Sequence, residues 1–191
     1  MAAITAAMTL GVKFKIIKKS LEEFAGIWRR FEIIGEYKGA IIISDYGHHP
    51  TAIKETLKAA KEFYPDRRLV IVFQPHSRNR TQKLFTEFVK SFDDADLVIL
   101  PEIYDVEGRE NSAEKISSRE LVYAIQNWQR TCCRVEASAC VPHLDKLPRL
   151  RGTGIFYAKD LNEGKKILLK NIRKNDVVII MGAGDVYKLK V

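Results

Sequence analysis

Short apolar runs alternate with amphipathic stretches along most of this sequence, and that alternation restricts the fold more than any other feature. The apolar runs predict strands at residues 31–37, 40–43, 69–73, 96–100, 154–157 and 177–181. Helical spacing of apolar residues between them predicts helices at residues 51–63, 81–92, 117–128 and 161–172. Strands linked through amphipathic helices form right-handed βαβ units. The sequence therefore predicts an α/β protein with an open, mostly parallel sheet covered by helices on both faces.

A short helical segment precedes this pattern. Two apolar stripes at helical spacing fall in residues 2–24, one before Gly11 and one after it. Such a helix pair is too small to bury its own apolar faces. We therefore expect residues 1–26 to be the tail of a preceding domain and residues 27–191 to form the α/β domain. The stripe formed by Ala2, Ala6, Leu10 and Ile17 is expected to lack its packing partners, and so to be mobile or to be covered in a homo-oligomer.

The composition limits the classes of partner and compartment. A net charge of +8, from 32 basic and 24 acidic residues, suits nucleic acid or a polyanion such as a nucleotide. The aromatic residues are not interleaved with the basic ones, so a base-stacking nucleic-acid surface is not expected. No apolar run spans a bilayer, and the start lacks the basic region of a signal peptide, which indicates a cytoplasmic protein without a membrane partner. Cys132, Cys133 and Cys140 lack metal-ligand spacing and are interpreted as reduced thiols.

The loop after the strand at residues 40–43 concentrates polar chemistry. In an open parallel sheet, ligands bind beyond the carboxyl ends of the strands, where Asp45, Tyr46, His48 and His49 follow here. An aspartate there can accept from ribose hydroxyls, and Tyr46 and His48 offer flat faces for a base. The amides of the next helix, which opens at Pro50, face the same crevice. The alternative is that the two histidines only pack or cap.

The loop after the strand at residues 69–73 carries His76, Arg78 and Arg80. Paired arginines suit bidentate capture of a carboxylate or a phosphate, although a solvated basic turn is the alternative. A metal site built from His48, His49 and His76 is not favoured, because no helical His-x-x-x-His or cysteine partner supports it. No metal site and no catalytic residue of the chain's own are therefore predicted.

Glycine patterns at the end of the chain give no nucleotide fingerprint. Gly182-Ala183-Gly184 has no third glycine and no following βα unit, so it is interpreted as a tight turn after the last strand. The phosphate-binding pattern Gly-x-x-x-x-Gly-Lys-Ser/Thr does not occur in these 191 residues.

Four motifs together carry a family resemblance: Arg29-Arg30-Phe31-Glu32, Asp45-Tyr46-Gly47-His48-His49-Pro50-Thr51, Phe73-Gln74-Pro75-His76 with Arg80-Thr81, and Met181-Gly182-Ala183-Gly184-Asp185. In order and spacing they closely resemble the UDP-N-acetylmuramate–L-alanine ligase family of Mur ligases, across nearly the whole chain. Residues 2–24 look like the last helices of that family's central ATP-binding domain, and the rest resembles its Rossmann-like C-terminal domain.

The resemblance implies a complete enzyme of three domains, one for the UDP-sugar, one with a P-loop for ATP and a C-terminal one for the amino acid. In that family ATP phosphorylates the muramic acid carboxylate, and the amine of L-alanine then displaces phosphate from the acyl phosphate. Mg²⁺ neutralises the phosphates and is expected mainly in the central domain. The partners implied are therefore UDP-N-acetylmuramate, L-alanine and ATP, with association of this chain with the missing domains.

Roles carry over by position. The resemblance places Arg30 near the ATP phosphates, and Asp45, Tyr46 and His48 where they face the nucleotide and the amino-acid pocket. It places His76 and Arg80 near the carboxylate of the incoming amino acid.

Two positions depart from the family pattern. Ser44 stands where an acid is frequent, and Ser77 stands where arginine usually follows Gln-Pro-His. Arg78, one position later, is a candidate to substitute for that arginine.

Two alternatives stay open beside the alanine-adding ligase. One is a stand-alone module that holds a nucleotide or an amino acid, or docks on a partner, without catalysis. The other is the related ligase that recycles a murein tripeptide, which shares the Asp-Tyr-Gly-His-His-Pro motif but not Gln-Pro-His. Without a P-loop, this chain by itself is expected to be inactive.

Overall fold

The fold alternates strands and helices after an initial helix pair. The computed structural model describes residues 2–104, 116–138 and 154–189, with the side chains of residues 131–138 left outside the description. The helices within these ranges are α1 (Ala2–Thr9), α2 (Phe14–Glu22), α3 (Pro50–Phe63), α4 (Arg78–Lys83), α5 (Phe85–Val89), α6 (Ser118–Ser138) and α7 (Leu161–Asn171). The strands are β1 (Glu32–Tyr37), β2 (Ala40–Asp45), β3 (Arg68–Phe73), β4 (Leu97–Pro101), β5 (Gly154–Ala158) and β6 (Asp176–Met181), and a 3-10 helix follows at Asp185–Lys188.

All these strands join one sheet in the order β1-β2-β6-β3-β4-β5. β1 and β2 form an antiparallel hairpin, whereas every other neighbouring pair is parallel. The last strand, β6, inserts between β2 and β3, so the chain crosses back over the sheet before it. The predicted α/β architecture with an open, mostly parallel sheet is confirmed.

Alternating residues of the central strands feed two separate cores, one on each face. One core combines Ile71, Phe73, Ile179 and Met181 with the buried sides of α3, α5 and α6. The other combines Val70, Val72, Val178 and Ile180 with α7 and the 3-10 helix. Burial on both faces is the reason that these strands are continuous apolar runs rather than alternating ones. The prediction of helices on both faces is therefore confirmed.

Two of the predicted helices were wrong in their extent. In place of the helix predicted at residues 81–92 there are two short helices, α4 (Arg78–Lys83) and α5 (Phe85–Val89), because Leu84 leaves helical dihedral angles (φ −108°, ψ 22°) and packs against the core. The helix expected at residues 117–128 continues to Ser138, so part of residues 131–152, for which no strand or helix was predicted, is helical. The rest of that region lies outside the described residues. The interpretation of the three cysteines as reduced thiols also falls outside the described side chains.

The expected helix pair at the start of the chain is present as α1 and α2. α1 has no buried residue, and Leu10, which follows it, is 83% exposed. The expectation that the whole stripe is unpacked was wrong for Ile17, which is buried in α2. Phe14, Phe24 and Trp28 add further exposed apolar area. None of the described helices is both long and apolar enough to cross a membrane.

Hydrogen exchange is expected to separate this segment from the sheet. The amides of α1 should exchange nearly as fast as an unprotected chain, because no burial opposes local opening, whereas those of β6 should exchange only when the sheet opens. The measurement is exchange followed by NMR in a sample shown by sedimentation to be monomeric. Equal protection of α1 and β6 in that monomer would contradict the expectation.

Candidate functional site

The loops that follow β2, β6 and β3 start side by side at one edge of the sheet. Asp45 pairs with Met181, and Met181 pairs with Phe73, so the three strands end at the same level. The β6 loop leads to the 3-10 helix on one face, whereas the other two loops lead to helices on the opposite face. Loops that diverge in this way leave a crevice between them, the usual ligand position in such sheets. The structure therefore brings the two predicted polar loops together.

Asp45 fixes the geometry of the first loop. Its carboxylate is buried, and it accepts hydrogen bonds from the backbone N–H groups of Phe31 (2.9 Å) and Gly47 (2.6 Å). Its carbonyl oxygen accepts from the N–H of Gly182 at 3.2 Å. Asp45 thus ties the segment before β1, its own loop and the β6 loop to one another. A carboxylate has about four acceptor positions, so these contacts leave room for a further donor.

Tyr46 and Arg30 lie together on the exposed side of this loop. The Arg30 guanidinium carbon is 5.4 Å from the centre of the Tyr46 ring, within cation–π range. The neighbouring Arg29 lies 5.1 Å from the same ring, and His48 contacts it edge-on at 5.3 Å between ring centres. This arrangement offers an aromatic face beside a solvent-accessible guanidinium, which fits a base or sugar next to a phosphate.

His48 connects the two predicted loops. Its ring centre is 6.3 Å from that of His76, and its Nδ1 is 3.2 Å from the Tyr46 carbonyl oxygen. Burial lowers the pKa of His48 below its ordinary value, the hydrogen bond to Tyr46 opposes that shift, and the positive charges of Arg80 and Arg30 lower it further. Arg80, Arg30 and His48 are therefore close enough to interact electrostatically, and together they favour an anion.

His49, by contrast, is a capping residue. The Thr51 N–H donates to its Nδ1 at 3.3 Å, and Pro50 occupies the first turn of α3. Of the two histidines, the capping alternative thus describes His49, while His48 faces the other loop.

Arg78 and Arg80 lie in different surroundings. Arg78 donates to the carbonyl oxygen of Ile116 and lies 3.8 Å from a carboxylate oxygen of Glu102, contacts that hold it at the start of α6. Arg80 is half-buried, and its Nη1 is buried without a hydrogen-bond partner in the described structure. A buried donor without a partner costs free energy unless a ligand or water satisfies it. Arg80 therefore has a donor that an anionic group could satisfy.

Two residues after β4 organise the site, although no chemical role was predicted for either. Glu102 accepts from the N–H of Ser118 (3.2 Å) and from the Tyr157 hydroxyl (3.0 Å). Burial, followed by this hydrogen bond and the charge of Glu102, raises the pKa of Tyr157. Tyr104 stacks on His76, with ring centres 5.6 Å apart and planes 24° apart. Their position at a strand's carboxyl end was the only signal in the sequence.

The chain bends at Ala183 and Gly184 after β6, and the structure gives the two glycines there a steric reason. A Cβ at Gly184 would lie 2.6 Å from Cγ of Tyr104, and a Cβ at Gly182 would lie 2.8 Å from the Gln74 carbonyl oxygen. Gly182 also has a φ of 146°, an angle that residues other than glycine rarely adopt. The two glycines let the β6 loop approach the β3 and β4 loops closely.

Nucleotide and metal ligands fit this site differently. The exposed guanidinium of Arg30 and the Tyr46 ring suit an anionic, partly aromatic ligand such as ATP. Across the described part of the chain, no group of three or more His, Cys, Asp or Glu side chains could hold a metal ion.

Comparison with known proteins identifies the family. Residues 29–184 match the Mur ligase, glutamate ligase domain, so the chain belongs to the Mur ligase family, whose members form amide bonds. The UDP-N-acetylmuramate–L-alanine ligase of Desulforapulum autotrophicum is 38% identical over 189 residues, 99% of this chain and 36% of that protein. The ligase of the same name from Aquifex aeolicus is 36% identical over 98% of this chain and 35% of that protein. The chain thus spans about a third of the length of these relatives.

Solved structures agree on the fold. The UDP-N-acetylmuramate–alanine ligase of Thermotoga maritima superposes with a TM-score of 0.70 at 24% identity, over 98% of this chain and 34% of that one. The murein peptide ligase of Psychrobacter arcticus gives a TM-score of 0.58 at 25% identity, over 98% of this chain and 33% of that one. The Rossmann-like fold expected from the resemblance is therefore confirmed.

The lowered pKa of His48 predicts a pH dependence. Below about pH 6.5 the unfolded chain should bind more protons at this residue than the folded one. The His48 contribution to the unfolding free energy should then be complete above about pH 6.5 and decrease as the pH falls through the folded pKa. His48→Gln should remove that component, whereas His49→Asn, which keeps a capping side chain, should retain it. Urea unfolding across this range measures both variants. Identical pH dependence of wild type and His48→Gln would contradict the prediction.

Proposed function

We propose that this chain is the C-terminal part of an ATP-dependent ligase that joins UDP-N-acetylmuramate to L-alanine in the synthesis of peptidoglycan precursors. Relatives that are 34–38% identical over nearly the whole chain bear the name of that ligase. The observation that carries the proposal is the meeting of the two loops at His48, where Arg80 presents a buried guanidinium nitrogen without a hydrogen-bond partner in the described structure. A cytoplasmic location follows as part of the same proposal.

The proposal divides the site between two ligands. The nucleotide side is formed by Arg30, Asp45, Tyr46 and His48. The Arg30 guanidinium points toward the phosphates, and the Tyr46 ring is available to the base or the sugar. ATP, once bound in the complete ligase, supplies the phosphoryl group that activates the UDP-sugar carboxylate. Within this chain, Arg30 adds positive charge beside the phosphates, and Asp45 holds the loop that carries Tyr46.

The second ligand is the amino acid. Arg80 provides a planar fork for its carboxylate, with His76 beside it, stacked on Tyr104. Holding the carboxylate fixes the amino acid in one orientation, so that its amine is free to attack the activated carbonyl carbon. Because Arg78 is engaged by Ile116 and Glu102, its proposed part is to position the loop after β4.

The murein tripeptide ligase is a second candidate, favoured by the superposition on the Psychrobacter arcticus enzyme. A binding module without catalysis is a third, since the chain spans only about a third of its relatives. Activity measured with L-alanine and with murein tripeptide in a complete enzyme separates the first two. A complete enzyme with no activity on either substrate would leave only the third.

The isolated 191-residue chain is expected to release no phosphate from ATP, because the sequence holds no P-loop. The test is phosphate release with ATP, UDP-N-acetylmuramate and L-alanine in the presence of the pure chain. Supplying the other domains as a separate polypeptide should restore little activity unless the pieces bind tightly, since a tethered domain has a higher effective concentration. Turnover by the pure chain that depends on all three substrates would contradict this expectation.

An NMR titration of the isolated chain tests the division of the site. ADP should shift the amides of the β2 loop, and L-alanine should shift those at residues 76–81. Arg80→Ala should abolish the L-alanine response and preserve the ADP response. Shifts produced by both ligands in the same loop would overturn the division.

A further inference from the structure

Arg29 is buried in a strained part of the linker that enters the sheet domain. It is 4% exposed, and its φ of 54° lies in the left-handed region, as do those of Gly26 (90°) and Phe31 (50°). Residues other than glycine rarely adopt such angles, and they keep them only where surrounding contacts enforce them. Contacts with neighbouring segments therefore hold Arg29 in this conformation.

The backbone and side chain of Arg29 reach three separate segments. Its N–H donates to a carboxylate oxygen of Glu32 at 2.8 Å, and its carbonyl oxygen accepts from the Tyr46 N–H at 2.7 Å. Its Nη2 donates to the Gly182 carbonyl oxygen in the β6 loop. The linker is thus joined to the β2 loop and the β6 loop, two of the loops that border the crevice.

Three aromatic rings surround the Arg29 guanidinium. Its carbon lies 4.6 Å from the ring centre of Tyr187, 5.1 Å from that of Tyr46 and 5.5 Å from that of Trp28. The Trp28 and Tyr187 rings also meet edge-on at 5.7 Å. We name these three rings the aromatic cage. They come from the linker, the β2 loop and the 3-10 helix, so the guanidinium joins elements that are distant in sequence.

The charge of Arg29 is stabilised in an unusual way. Burial lowers the pKa of its guanidinium, yet an arginine stays protonated in proteins. The guanidinium donates to a carbonyl oxygen and faces aromatic rings, the charge of Asp45 acts on it from a distance, and its Nε is buried without a hydrogen-bond partner in the described structure. A lysine cannot reproduce this set of contacts, because an ammonium lacks the planar fork that stacks and donates at once. The contacts therefore require an arginine at this position.

We propose that Arg29 is a positioning residue that sets Tyr46 and Arg30 toward the nucleotide. The Tyr46 ring lies within cation–π distance of both arginines, and the Arg29 backbone precedes that of Arg30 directly. Loss of the Arg29 contacts frees the linker to leave its left-handed conformation, which displaces Arg30 and unfixes the Tyr46 ring. The inference rests on the proposed function only for the identity of the ligand as a nucleotide.

The test uses the 191-residue chain with Arg29→Met and Arg29→Lys. The matched control is Arg67→Met, because Arg67 also stacks on a tyrosine, Tyr64 at 5.7 Å, but precedes β3 at the opposite edge of the sheet. Tyr187→Leu removes one wall of the aromatic cage and leaves Arg29 in place, so it serves if the Arg29 variants fail to fold. The readouts are the amide NMR shifts of the β2 and β6 loops and the affinity for inorganic triphosphate. Both are measured well below each variant's melting temperature.

Both Arg29 variants and Tyr187→Leu should shift the Tyr46, Gly182 and Arg30 amides, and Arg67→Met should not. Arg29→Met should weaken triphosphate binding about tenfold, the equivalent of one lost charge-assisted hydrogen bond, and Arg29→Lys should recover little of it. Folded variants with lower stability but unchanged shifts and triphosphate affinity would overturn the proposal, since that is the result of a purely structural role. If wild type binds no triphosphate, the proposed nucleotide function fails, and the amide shifts still decide the role of Arg29.

Discussion

Replacing Arg80 by alanine is expected to weaken amino-acid use by about ten- to a hundredfold in the complete ligase, the effect of removing one charge-assisted contact. The structure supports a direct contact because Arg80 Nη1 is buried without a hydrogen-bond partner in the described chain, and because its charge acts on His48 across the crevice. Arg80→Lys should recover only part of the loss, since an ammonium keeps the charge but not the fork.

Steady-state kinetics with L-alanine and ATP varied separately measures this effect. Arg78→Ala is the matched comparison, because that arginine contacts Ile116 and Glu102 and should act mainly on stability. For Arg80→Ala we expect a raised apparent constant for L-alanine and an unchanged one for ATP. The opposite result would show that the assignment of this loop is wrong, and His76 or residues at 131–152 would become the better candidates.

Replacing Asp45 by alanine is expected to have the largest effect on stability, about 3 kcal/mol or more, because hydrogen bonds to a charged acceptor contribute roughly 1.5–3 kcal/mol each. The substitution leaves the N–H groups of Phe31 and Gly47 without their acceptor in a buried place. It also releases the linker from the β2 loop, so nucleotide use or domain closure should weaken in the complete ligase.

Urea unfolding of the isolated chain measures the stability part. Asp45→Asn is the control, because it keeps the shape and one acceptor oxygen and should lose less than the alanine variant. Equal stability of wild type and Asp45→Ala would show that the two amides find other partners. For Asp45→Ala in the complete ligase, steady-state kinetics should report a raised apparent constant for ATP and little change in the constant for L-alanine.

The strands were predictable within about two residues because the central ones are buried on both faces, which makes them continuous apolar runs. Helix boundaries were less predictable. The break at Leu84 comes from packing of that side chain against the core, a tertiary contact that periodicity does not reveal. The extension of α6 to Ser138 was also not predicted, although the added residues include no helix-breaking glycine or proline.

The site loops were predictable because the carboxyl ends of parallel strands meet at one edge. The contacts and roles of the individual residues within these loops were not predictable. Arg29 and Gly182 are 153 positions apart, and no local pattern announces their contact. The sequence left Arg78 as a candidate partner of the amino acid beside Arg80, and its contacts with Ile116 and Glu102 became visible only in the structure.

We expect this chain to work as the C-terminal domain of a UDP-N-acetylmuramate–L-alanine ligase. The most direct measurement joins it in frame to the preceding part of the Aquifex aeolicus relative, which is 36% identical to it over 98% of this chain. Phosphate release is then followed with ATP, UDP-N-acetylmuramate and either L-alanine or murein tripeptide, with the intact relative as the reference. We expect release that requires UDP-N-acetylmuramate and L-alanine and that Arg80→Ala weakens about ten- to a hundredfold at low L-alanine concentration. A folded chimera that is inactive with L-alanine, or active only with the tripeptide, while the intact relative is active, would contradict it.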